Sequence, residues 1–196
     1  MMDKFMLSIG IVLVLAIGFV FFGFAEPPRD AVRAGITGNS IWNVESADLR
    51  DVERFAIYPD RSHFEFEGYG PGKSHVGTFD EFEGELYFDK GMLVGFGGVI
   101  KAESVNTGIG RLNGHLKGRD FFDAETYPEI GFVSTELDDD ILTGILDFHG
   151  VQREVSFPVV IIGDEISADF ILNTAPFGMN YPGVDKEVRI AFELNK

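Results

Sequence analysis

From about residue 55 onward the chain alternates. In "SHFEFEG", Phe64 and Phe66 fall between His63, Glu65 and Glu67; in "FEGELYFD", Phe82, Gly84, Leu86 and Phe88 share one face and Glu83, Glu85 and Tyr87 the other. The same period runs through Leu142, Gly144, Leu146 and Phe148, through Val155, Phe157, Val159 and Ile161, and through Ile166, Ala168, Phe170 and Leu172. It closes the chain with Val188, Ile190, Phe192 and Leu194 set against Glu187, Arg189 and Glu193. A period of two marks half-buried strands, and the Gly-, Asp- and Pro-bearing breaks between runs mark turns, so the pattern predicts an antiparallel sheet with one wet face. Residues 109–117 depart from it: Ile109, Leu112 and Leu116 stand at helical spacing, with Gly118 as a stop. Asp123 is placed to cap one further turn before Tyr127-Pro128 ends it.

A chain of strands with one short helical insertion must hide its sheet edges. Closing into an antiparallel barrel of about eight strands does so; a two-sheet sandwich satisfies the same period. Barrels of this size are filled by side chains or hold one small ligand. Gly84, Gly95, Gly97 and Gly144 fall inside strands, where they relieve bending and leave room.

Ahead of the strands lies a different segment. Residues 5–25, "FMLSIGIVLVLAIGFVFFGFA", carry no charge, and as a helix they reach roughly 31 Å, enough to cross a bilayer core. This predicts a transmembrane anchor, or a signal peptide if the chain is cut after the small residues Gly23 and Ala25. A short tail, an apolar span and a long domain form the layout of an exported protein, so the domain is expected outside the cytoplasm, in the periplasm or at the cell surface. Lys4 on one side, with Arg29 and Arg33 on the other, leaves the charge rule for orientation undecided. Residues 26–50 mix Pro, Gly and charge and read as a linker, which leaves residues 51–196 as one domain of ordinary size.

Charge narrows the partners. Without Asp3 and Lys4 of the leading segment, 31 acidic and 15 basic side chains remain, a net −16. Such a field repels phosphate backbones, which argues against nucleic acid and leaves membrane attachment to the apolar segment. With no cysteine, the chain has neither disulfides, Cys-ligated metals nor a thiol nucleophile. A homodimer remains open.

Several segments together resemble the YceI-like family of lipid-binding barrels. "YPDRSHFEF" resembles its first strand and "HVGTFDEFEGEL" its Gly-x-Phe-x-x-Phe-x-Gly segment. "AESVNTGIGRLNGHLKGRDFFDAETYPEIGFVS" resembles its most recognisable stretch, "LTGILDFHGVQREVSFPV" its strand into a Gly-Val-x-Arg/Lys turn, and "FGMNYPGVDKEVRIAFEL" its closing strand. The resemblance spans residues 55–194 in the family's order. It implies a lipocalin-like antiparallel barrel whose apolar interior holds a polyisoprenoid chain, such as a quinone tail, without chemical conversion and without a cofactor. In one respect the chain departs: "LNTAPFGMN" has Asn173, Thr174 and Ala175 where the family often carries an arginine.

The alternating faces supply the candidate ligand-binding residues: Phe64, Phe66, Phe82, Leu86, Phe88, Phe132, Leu146, Phe148, Phe170, Ile190 and Phe192 inside, with Phe121 and Phe122 at the mouth. Two adjacent phenylalanines in a loop point apart, so one can enter a core while the other covers an opening. As catalysis, His115 with Asp120, Asp123 or Glu125 has the residue types of a general base and its orienter. No nucleophile motif accompanies them, and those acids read equally as turn and cap residues. His63, His75, His115 and His149 are scattered without metal-ligand spacing, and His63 and His149 are expected at solvent. The reading is therefore a binding protein with no catalytic and no metal residues. Its rivals are a lipid-acting hydrolase or isomerase with His115 or His63 as base, and a stress-associated structural domain with a solid Phe-rich core.

Overall fold

The computed structural model describes residues 27–28, 30–37 and 52–196. The expected anchor or signal at residues 1–25 and most of the expected linker lie outside the described residues. No helix among the described residues is long and apolar enough to cross a membrane.

The alternating runs are strands, as their period requires. Among the described residues they are β1 (Gly35–Thr37), β2 (Glu53–Ala56), β3 (His63–Gly70), β4 (Lys73–Phe79), β5 (Phe82–Asp89), β6 (Met92–Lys101), β7 (Val105–Asn106), β8 (Glu129–Asp138), β9 (Ile141–Phe148), β10 (Val151–Pro158), β11 (Val160–Ile162), β12 (Glu165–Asn173) and β13 (Glu187–Leu194). The α-helix among them is α1, Gly110–Lys117, and it stops at Gly118, whose N–H donates to the His115 carbonyl. Two hairpins turn on paired left-handed residues, Lys90-Gly91 (φ 50° and 79°) and His149-Gly150 (φ 53° and 70°). That is the mirror-image turn whose twist matches the strands on either side.

The strands pair antiparallel in two sheets, not in one ring of eight. One runs β1-β10-β9-β8-β6-β5-β2, the other β11-β12-β13-β3-β4-β7. The ring gives way at corners where the chain passes from sheet to sheet. At Pro158 the ladder loses a donor; the next N–H, of Val159, bonds instead to the Asp140 carbonyl (2.8 Å), and the chain continues as β11 in the other sheet. At the end of β6, Ala102–Ser104 form a single 3-10 turn with Ala102 fully buried, and the chain continues as β7. Ser104 holds this corner, donating to the Lys101 carbonyl and accepting from the Glu81 N–H. Tyr58 N–H to the Asn195 carbonyl (2.9 Å) ties the two sheets elsewhere, and Asn195 N–H to Ser62 Oγ (2.9 Å) extends the pairing of β13 with β3.

Two expectations change here. Part of the expected linker belongs to the domain: β1 pairs with β10, and Ile171 bonds on both sides of Arg33, its carbonyl accepting from Ala34 N–H (2.8 Å) and its N–H donating to the Val32 carbonyl (2.7 Å). Arg33 adds a two-pronged pair to Glu187 (2.7 and 2.8 Å). Backbone pairing outweighs the Pro/Gly composition that suggested a tether. Asp123 does not open a further helix; φ there is +44°, and its carbonyl accepts from Thr126 and Tyr127 (2.9 and 2.8 Å) to close a turn.

The core lies between the sheets. Phe96 of one sheet touches Phe192 of the other (5.3 Å between centroids), and Phe122, from the loop after α1, reaches Phe66, Phe79 and Phe148 at 6.1, 5.5 and 6.1 Å. Two in-strand glycines, Gly144 and Gly77, admit rings. A Cβ at Gly144 would strike the Phe132 ring and lie 2.5 Å from the Val133 carbonyl; one at Gly77 would lie 2.7 Å from the Phe66 ring. Tyr87, assigned by period to the wet face, is buried, with its hydroxyl over Gly97 and the Arg54 guanidinium over its ring at 5.0 Å. The period itself holds, since Leu86 and Phe88 on either side are in the core; Tyr87 is buried by what covers its own face, the bare backbone of Gly97 and the Arg54 side chain.

Candidate functional site

Packing between the two sheets is incomplete. A cavity of about 430 Å³ remains, and its walls are almost wholly apolar. Most of its wall comes from inward positions of both sheets, among them Phe64, Phe66, Phe148, Phe170 and Phe192. The exposed rim consists of the β3–β4 hairpin with Pro71, Lys73 and His75, the excursion between β6 and β8 with His115 and Asp120, and the loop before β13 with Tyr181, Asp185 and Lys186. The excursion leaves the sheet at Lys101 and returns at its ladder partner Glu129, so α1 and the Phe pair sit over one end of the interior.

The two phenylalanines there diverge. Phe121 N–H bonds to the Gly118 carbonyl (3.0 Å) and Phe122 N–H to the Leu116 carbonyl (2.9 Å), which fixes their backbones on the end of α1. Phe122 turns inward among Phe66, Phe79 and Phe148. Phe121 stays at the rim in a three-ring cluster: 4.8 Å from His115 and 5.1 Å from Tyr181, with His115 and Tyr181 5.7 Å apart.

Of the residues expected from alternation, Phe64, Phe66, Phe82, Phe132, Leu146, Phe148, Phe170, Ile190 and Phe192 line the cavity together with Phe121 and Phe122. Leu86 and Phe88 do not. They are 0% and 1% exposed and lie in the solid part of the core, where Phe88 meets Phe55 edge-on at 5.3 Å and the Lys196 ammonium stands 3.9 Å from its ring. Facing inward is not sufficient for lining the cavity. Sequence reasoning left out Phe79, Phe96, Phe157, Met179 and Tyr181, which also line it. Phe157 was legible, standing in an alternating run; Phe96 was hidden among glycines, and Tyr181 lies in a loop with no period.

The histidines separate. His63 is exposed with Glu65 3.6 Å away, whereas His75 and His115 border the cavity. His149, expected at solvent, packs its ring 4.8 Å from Tyr127, and its Nε2 is buried without a hydrogen-bond partner. Tyr69 also borders the cavity; burial first, then the Glu67 carboxylate that accepts its hydroxyl (3.1 Å), pushes its phenol well above the ordinary range. Where the chain lacks the family's arginine, Thr174 is buried and donates to the Lys186 carbonyl (2.9 Å), and the cationic side chains bordering the cavity are Lys73 and Lys186. Among the described residues no three His, Cys, Asp or Glu side chains gather as a metal site would need.

Comparison with known proteins gives the family. The model of the YceI-like domain matches residues 55–195. A UPF0312 protein of Photorhabdus laumondii is 32% identical over 94 residues, 45% of this chain and 49% of the relative, and one of Pseudomonas putida strain GB-1 is 30% identical over 129 residues, 57% of this chain and 67% of the relative. The chain thus spans about half the length of the first and two thirds of the second. Among solved structures it is similar to BcnA of Burkholderia cenocepacia, with a TM-score of 0.61 at 24% identity over 70% of this chain and 98% of that one. A polyisoprenoid-binding domain from Saccharophagus degradans superposes with a TM-score of 0.58 at 18% identity over 74% and 97%. The chain belongs to the YceI-like domain family.

Proposed function

We propose that this YceI-like protein binds an isoprenoid or similar apolar chain in the cavity between its sheets, reversibly and with no bond made or broken. The carrying observation is the cavity itself: about 430 Å³ of space walled almost wholly by aromatic and aliphatic side chains. A pocket of that character holds an apolar molecule by area removed from water. At about 25 cal/mol per Å², a few hundred Å² of buried tail yields about 5–10 kcal/mol before entropy costs, so no polar contact is required for affinity. The similarity to a structure described as a polyisoprenoid-binding domain supports the reading.

The rim suits a polar head. Lys73, His75, His115, Lys186, Asp120 and Asp185 mix both signs there, so head groups of either polarity meet a partner. His115 sits against Phe121 and Tyr181, a wall position that favours enclosure over proton transfer. The uncharged leading segment supports placing the domain outside the cytoplasm, tethered if that segment is retained and released if it is removed, for carriage, storage or sensing.

The experiment is mass spectrometry of organic extracts from the purified protein. A stoichiometric isoprenoid is the expected result. A protein that is empty and takes up neither quinones nor polyprenols would overturn the reading in favour of a structural domain.

A further inference from the structure

We propose that the mouth of the cavity is also a docking face for a bilayer that bears anionic phospholipids. The chain is −16 overall, a field that repels such a surface, but its acids are unevenly spread. Residues 68–79, 104–119 and 170–184 contain no aspartate or glutamate. They supply the β3–β4 hairpin, α1 and most of the loop between β12 and β13, and all three elements border the cavity. The three meet at the mouth: Tyr181 lies against Phe121 and His115, and Asp185 N–H bonds to the Tyr69 carbonyl (2.9 Å).

Four exposed cations stand on or beside these elements, Lys73, Arg111, Arg119 and Lys186, and among the described residues none of the four has an ion pair or a ring partner. Seven other described lysines and arginines pair with carboxylates. Arg111 and His115, four apart, share a face of α1, and Lys73, His115 and Lys186 border the cavity itself. Asp120 and Asp185 adjoin Arg119 and Lys186 in the chain and offset part of this charge, while Glu83, the third carboxylate on the cavity, acts on Lys101. Lys73 and Arg111 have no acidic neighbour in the chain. Apolar groups stand among these cations: Ile109 is 48% exposed just before α1, and Tyr181 37% at the mouth. Cations interleaved with an aliphatic side chain and a tyrosine suit a lipid interface, which takes the charges at its head groups and the apolar groups just beneath. A phosphate backbone meets the cations alone and leaves Ile109 in water. A mouth held on the bilayer gives an apolar ligand a way into the cavity that avoids water; that consequence rests on the ligand reading, and the docking face does not.

The chain has no cysteine, so Ile109→Cys and Ile162→Cys each carry a single environment-sensitive nitrobenzoxadiazole label. Ile162 is 70% exposed in β11, which pairs with the start of β12, whereas the cavity mouth lies at the other end of that strand. The full chain is reconstituted in phosphatidylcholine vesicles with and without phosphatidylglycerol, both containing a doxyl-labelled lipid as quencher. The label at 109 is expected to be quenched in the phosphatidylglycerol vesicles, and the label at 162 in neither. Each of Lys73→Gln, Arg111→Gln, Arg119→Gln and Lys186→Gln is expected to lower the docked-to-free ratio about fivefold, with an unchanged unfolding midpoint. A label at 109 that stays unquenched, equal quenching at both positions, or quenching indifferent to all four substitutions overturns the docking face. Shielding of the label at 109 that grows with protein concentration without lipid overturns it in favour of a second copy at the mouth. All of these outcomes leave the ligand reading untouched, since no ligand is present.

Discussion

Phe157 and Phe170 lie face to face, ring centroids 4.3 Å apart and planes 7° from parallel, one from each sheet. Both are about 5% exposed, so this pair joins the sheets without water. An aromatic pair contributes about 0.5–1.5 kcal/mol beyond the area it buries. A double-mutant cycle with Phe157→Leu and Phe170→Leu, followed by urea unfolding, is expected to return a coupling in that range. Additive single effects would show that the stack holds nothing beyond bulk packing.

Gly144 and Gly68 are both strand glycines with opposite surroundings. A Cβ at Gly144 meets the Phe132 ring and the Val133 carbonyl, whereas one at Gly68 meets nothing within 4 Å. Gly144→Ala is expected to cost about 1–3 kcal/mol, because a backbone oxygen cannot rotate away. Gly68→Ala is expected to be neutral or to stabilise by up to about 1 kcal/mol through the unfolded chain. Thermal unfolding of the two variants side by side checks the contrast; equal losses would mean that strand glycine is needed for itself.

Tyr181 is 37% exposed, yet it closes the rim against Phe121 and His115. Removing its ring should leave the fold standing and open the mouth. Tyr181→Ala is expected to release a bound polyene fatty acid several-fold faster, with an unfolding midpoint close to wild type. A release rate equal to wild type would remove this cluster from the exit path.

Arg33 and Glu187 fasten residues 30–37 onto β13. The hydrogen bond from Arg33, more than its charge, holds the Glu187 carboxyl below its ordinary 4.5. A carboxylate with a lowered folded-state pKa stabilises the fold above the unfolded value and loses that contribution as pH falls through the folded value. Arg33→Gln is therefore expected to unfold at a lower temperature than wild type at neutral pH. The gap should close on acidification below 4.5, and a gap unchanged at acid pH would assign it to something other than this pair.

Much of this was legible in the chain. Alternation at 64–66, 82–88, 142–148 and 188–194 placed the strands and chose inward residues, because side-chain direction in a strand is a local matter of period two. The helix, its stop at Gly118, and a Phe pair whose two rings part company followed from equally local rules. Tyr87 failed because Gly97 and Arg54 from neighbouring strands cover its outward face, and Asp123 because its left-handed φ makes a turn where a cap was expected.

What the sequence determined by itself is thus which residues face inward and that antiparallel strands carry them. Only the tertiary structure decided where the inside is empty. Leu86 and Phe148 are indistinguishable by period, yet one is locked in solid core and the other walls a cavity. That difference depends on which rings from distant strands meet, as Phe157 meets Phe170, and on which glycines admit them, as Gly144 admits Phe132. Packing of this kind is a sum over many short-range contacts between residues far apart in the chain, and no local period encodes it.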